Sequence, residues 1–80
     1  MEIQVIKDKI GKVLTTVLEH DNFEIHDELT ATDVDGWDSL SHMMIITKIE
    51  EHFSIRFKLR ELNKLKNLGS LVALIQSKLN

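Results

Sequence analysis

The chain has 80 residues, of which 42% are hydrophobic, 29% charged and only 5% aromatic, with a formal charge of −3 and no cysteine. That is enough apolar material for one modest, mostly aliphatic core in a single domain spanning residues 1–80. It excludes disulfides, thiolate catalysis and zinc–cysteine sites, and it disfavours nucleic-acid binding, which needs a clustered basic face.

In chain order, the first segment runs from Glu2 to about His20, with Ile3, Ile6, Ile10, Val13, Leu14, Val17 and Leu18 at steps of three and four. This spacing predicts an amphipathic helix despite Gly11, which costs about 1 kcal/mol relative to alanine. The N-terminus lacks the basic-then-apolar order of a secretory signal, and no apolar run nears the ~20 residues of a membrane span, so a cytoplasmic location without membrane insertion is expected. Asp21 to Trp37 carries neither helical spacing nor sustained alternation and predicts a long loop, with Phe23, Ile25, Leu29 and Val34 pinning it across helix ends.

A second helix is expected to begin at Asp38 or Ser39, either of which can cap it, and to run to about His52. Leu40, Met43, Ile46, Ile49 and Phe53 recur at three- and four-residue steps, and Met44 and Ile45 widen the apolar surface beyond one stripe, so the helix is either central or partly exposed for partner contact. "FSIRF" (Phe53–Phe57) alternates like a strand but has no strand to pair with, so it is read as a connection. "LRELNKL" fits one or two helical turns. "NLGSLVALIQSKL" predicts a last helix capped by Asn67 or Ser70, with Leu68, Leu71, Val72, Ile75 and Leu79 inward. The expected fold is all-α: a small four-helix bundle of three long helices and one short, with a long loop between helices 1 and 2.

Chemistry concentrates around "DVDGWDSLSHMM". Ser39 reads either as a plain helix-start residue or as a hydroxyl that carries a phosphate ester, which the free N–H groups of a helix N-terminus favour and Asp38 opposes. Ser39 and His42, with Asp33, Asp35 and Asp38 nearby, superficially form a hydrolase set, but a base three residues along the same helix aims poorly at the serine, and no nucleophile-elbow glycines flank it. The same acids do not make a calcium loop, because the twelfth position from Asp33 is Met44. His20, His26 and His52 are scattered without ligand spacing.

"GWDSL" (Gly36–Leu40), "IEEHF" (Ile49–Phe53) and "LGSLVALI" (Leu68–Ile75), in that order and spacing, resemble the acyl carrier and peptidyl carrier protein family over essentially the whole chain. The resemblance implies 4′-phosphopantetheine, donated by coenzyme A, on Ser39, with Asp38 and Leu40 flanking it. It implies a phosphopantetheinyl transferase, an acyl- or aminoacyl-loading ligase or transferase and a downstream synthase or acyltransferase as partners, and no catalysis by the carrier itself. Trp37, Leu40, Met43 and Met44 match positions that partners grip. The helix after Ser39 has no acid before Glu50, unlike fatty-acid carriers, so contact along it should be more apolar than charged. With Trp37, this resembles carriers of specialised pathways. Starting at Met1 and ending soon after the last helix, the chain is expected to be a free-standing monomeric carrier. The alternative is a non-covalent adaptor that keeps the fold and binds through Met43–Ile46.

Overall fold

The computed structural model describes residues 2–79; Met1, from which the free-standing expectation starts, lies outside them. Four helices follow one another: α1 (Ile3–Leu18), α2 (Ser39–Phe53), α3 (Leu59–Leu62) and α4 (Leu68–Leu79), and no strand occurs among the described residues. Three long helices and one short make the expected all-α bundle. The Asp21–Trp37 loop is more ordered than expected, containing a 3-10 turn at Ala31–Asp33.

α1 packs against both α2 and α4. Its Ile6, Ile10, Val13 and Leu14 meet Ile45, Ile46, Ile49 and Phe53 of α2 and Leu68, Leu71, Val72 and Ile75 of α4 in one core. Burial of each such side chain contributes roughly 1.5–3 kcal/mol, most of it offset by chain entropy. The loop joins this core through Leu29 and Val34, both buried, while Phe23 and Ile25 pack on its margin.

Of the two expectations for α2, central or partly exposed, the second holds at its start. Leu40 and Met43 are 75% and 54% exposed, and Ile45 takes a core position instead. Periodicity fixes the angular face of a helix but not how far its neighbours reach along it; the first turns of α2 project past the core. Ile3 is likewise exposed at the start of α1.

The loop is tied down where it passes the helix ends. The N–H groups of Leu68 and Gly69 donate to the carbonyls of Leu29 (2.8 Å) and Asp27 (2.9 Å), satisfying free donors at the start of α4. A Cβ on Gly69 would come within 3.1 Å of the Asp27 backbone oxygen, which explains a glycine in the first turn of a helix. Asn67, not Ser70, caps α4: its Oδ1 accepts from the Ser70 N–H (2.9 Å), and Ser70 Oγ accepts from the Asn67 N–H (3.1 Å). At the other end of the loop, His20 Nδ1 accepts from the Asn22 N–H, so Nε2 is left to donate to the Asp35 carbonyl at 2.7 Å.

Candidate functional site

The turn before α2 decides what Ser39 is free to do. Asp38, in extended backbone, is the N-cap: its Oδ1 accepts from the Ser41 N–H at 2.9 Å. Ser41 returns the bond, its Oγ accepting from the Asp38 N–H at 2.8 Å and donating to the Gly36 carbonyl at 2.7 Å. Gly36 has φ of +84°, a left-handed conformation that suits glycine and turns the chain into the cap. Asp38 and Ser41 therefore do the capping between them. Ser39 is the first helical residue, exposed, and among the described residues its hydroxyl has no hydrogen-bond partner.

Of the two opposing effects expected at this helix start, the Asp38 charge prevails. The helix N-terminus that was to favour the phosphate is already occupied by the Asp38 carboxylate. The hydrogen bond from the Ser41 backbone N–H is the main cause that holds that carboxyl below its usual range, with burial opposing it. A phosphate on Ser39 Oγ would add negative charge next to the Asp38 carboxylate, at an exposed residue.

Trp37 and His42 wall one side of the site. The indole Nε1 donates to His42 Nδ1 at 3.1 Å, and the rings lie nearly parallel, 6.1 Å apart. Burial lowers the His42 pKa and so favours the neutral ring that can accept this bond. His42 is thus engaged with Trp37, and no hydrogen bond joins it to Ser39, so the nucleophile–base contact of a hydrolase is missing. Trp37, His42 and Met43 line an open apolar depression with Ala31, Asp38 and Ser39. On the far side of the Trp37–His42 pair lies a crevice of about 70 Å³ bordered by Leu65, Lys66 and Leu71.

Leu40, Met43 and Met44 stand exposed on α2 beside Ser39, an outward apolar face on the helix that carries the candidate site. The residues that sequence reasoning passed over are Ser41 and the Trp37–His42 contact. The first stands where a Glu or Gln usually marks a reciprocal cap in sequence, so its role emerges only in the structure. The second depends on the path of the loop and left no local signal.

These features have counterparts in known proteins. The family model described as "Phosphopantetheine attachment site" matches residues 4–75. The solution NMR structure of holo acyl carrier protein from Geobacter metallireducens is similar at 42% identity with a TM-score of 0.85, covering 92% of this chain and 85% of that one. Among curated protein sequences there is no significant match. The chain belongs to the phosphopantetheine-binding carrier family. Its cofactor is accordingly covalent 4′-phosphopantetheine. The exposed serine, its uncommitted hydroxyl and the adjoining apolar depression fit that group.

Proposed function

We propose that Ser39 Oγ is the point of attachment, and that the chain holds acyl or aminoacyl groups as thioesters on the arm and delivers them to partner enzymes. The observation that carries this reading is the division of labour in the turn: Asp38 and Ser41 satisfy the helix end, which leaves Ser39 exposed and uncommitted. When bound, the cofactor supplies the reactive thiol. The protein's own residues present the serine: the Asp38–Ser41 cap fixes the backbone at Ser39, and the Asp38 charge would repel a phosphate attached there.

The carrier needs no catalytic group of its own on this reading, and its work is cytoplasmic. The α2 face of Leu40, Met43 and Met44, with Trp37 at its edge, is the grip for the phosphopantetheinyl transferase and for loading and accepting enzymes. Flexible methionines adapt to several such surfaces. The absence of acids from Leu40 to Ile49 and the presence of His42 and Lys48 favour a specialised biosynthetic role over primary fatty-acid synthesis.

Intact-mass analysis after incubation with coenzyme A and a promiscuous phosphopantetheinyl transferase tests the reading. Gain of one phosphopantetheine by the wild type and none by Ser39→Ala is expected. No gain by either protein would instead favour the non-covalent adaptor, for which the exposed Met43 and Met44 face would be the binding surface.

A further inference from the structure

The charge of this acidic chain is divided. From Glu19 to Asp38 there are eight acids (Glu19, Asp21, Glu24, Asp27, Glu28, Asp33, Asp35, Asp38) and no lysine or arginine. From Arg56 to Lys66 there are five cations, Arg56, Lys58, Arg60, Lys64 and Lys66, against the single acid Glu61. All five are exposed, and among the described residues none lies in an ion pair.

Glu61 offsets only Lys58 among them, and weakly. Its Oε1 is held by Lys78 of α4 at 2.8 Å and by the Lys58 backbone N–H at 2.7 Å, and the first of these is the main reason its pKa is lowered. The backbone that displays the cations is ordered: the Phe57 N–H donates to Glu50 and the Lys66 N–H to Ser70 Oγ, while Phe57, Leu62 and Leu65 pack on the core. Five exposed like charges on a fixed frame make a positive surface to which an external anion is attracted, with Glu50 and Glu51 beside Arg56 at its edge.

We propose that Arg56, Lys58, Arg60, Lys64 and Lys66 form the contact for an acidic surface patch on the enzymes that load or unload this carrier, flanking the apolar α2 grip. The proposal rests on the carrier reading. The strip reaches the attachment region, since Lys66 borders the same crevice as Trp37 and His42, and those two residues also line the depression at Ser39. A partner that grips Ser39 meets the strip as well.

An anionic bilayer fits less well. α3 has only four residues, Leu59 is the one strongly exposed apolar side chain of the strip, and the net charge of −3 opposes such a surface. In the acidic loop of a second copy Asp27 is paired with Lys7, and Asp33 and Asp38 are bound in their own turns, which leaves five of its eight acids; that occupant is separated by the test below.

The test begins with holo protein, checked by intact mass. Failure to load phosphopantetheine would sink the carrier reading whatever the strip does. Amide shifts of the holo protein are then followed by NMR during titration with an oligoglutamate peptide at low ionic strength. Shifts confined to residues 56–66, lost on raising the salt and weakened about tenfold in Arg60→Glu/Lys64→Glu, support the proposal. Absence of binding, or shifts centred on Lys7, Lys12 or Lys48, would overturn it. So would stronger engagement of the strip by phosphatidylglycerol vesicles, or low-salt self-association abolished by the same double variant.

Discussion

The Trp37 indole donates to the unprotonated Nδ1 of His42, 3.1 Å away, joining the loop before the attachment turn to the second turn of α2. Trp37 is the one tryptophan of the chain, so its emission reports this contact alone. A protonated imidazole cannot accept the bond. Because burial lowers the native pKa of His42, the unfolded chain binds its proton first as pH falls. The contribution of His42 to stability is therefore full above the ordinary histidine range near 6.5 and is lost as pH drops through the lower native value. Asp38 on the same helix and Lys66 across the crevice are the neighbouring charges, of opposite sign. A fluorescence titration of the folded protein is expected to show one step below pH 6.5 that is absent in His42→Ala. A step unchanged in that variant would show that another group is responsible.

Ser39 and Ser41 are expected to separate stability from modification. Ser39→Ala removes a hydroxyl without a partner and should leave Tm within a degree or two while abolishing loading. Ser41→Ala removes the acceptor for the Asp38 N–H and the donor to Gly36. It should cost about 1 kcal/mol, some 4–8 °C in Tm for a domain of this size, and still accept the arm. Thermal melts and intact masses of the two variants check both halves.

Backbone positions offer two stabilising changes. Ser54 ends α2 with φ of 55°, a left-handed conformation that costs a non-glycine residue roughly 1–2 kcal/mol, partly regained by its smaller unfolded-state entropy. Gly11 sits inside α1, where an added Cβ would only make ordinary contact with Ile25 at 3.6 Å. Ser54→Gly and Gly11→Ala should each raise stability by about 0.5–1 kcal/mol, read as a higher denaturation midpoint at unchanged m. Gly36→Ala, at φ of +84°, should lower it.

The apolar face of α2 is expected to act in recognition rather than folding. Because Met43 is half exposed, Met43→Asp should leave Tm nearly unchanged yet reduce kcat/KM for phosphopantetheinyl transfer about tenfold, the worth of one buried contact of some 1.4 kcal/mol. An equal loss of Tm would return Met43 to the core.

Helix order, the core of α1 and the aliphatic face of α4 were legible in the sequence because three- and four-residue spacing reports burial directly. That Leu40 and Met43 face outward was expected from the family resemblance alone, since periodicity says nothing about where a neighbouring helix stops. At the site, Asp38 was legible as a cap candidate, whereas Ser41, standing where a capping box has Glu or Gln, was not. The choice between Asp38 and Ser39 as cap needed the backbone, and with it the conclusion that the helix end is taken by a carboxylate. The pairing of Trp37 with His42 and the neutralisation of Glu61 by Lys78 join segments whose proximity only the fold creates.

The central claim is that the arm is attached to Ser39 and not to its capping neighbour. Fragmentation mass spectrometry of the loaded protein, able to distinguish Ser39 from Ser41, tests it most directly. Phosphopantetheine localised wholly on Ser39 in the wild type and in Ser41→Ala is the expected result. Modification of Ser41, or none at either serine, would contradict it.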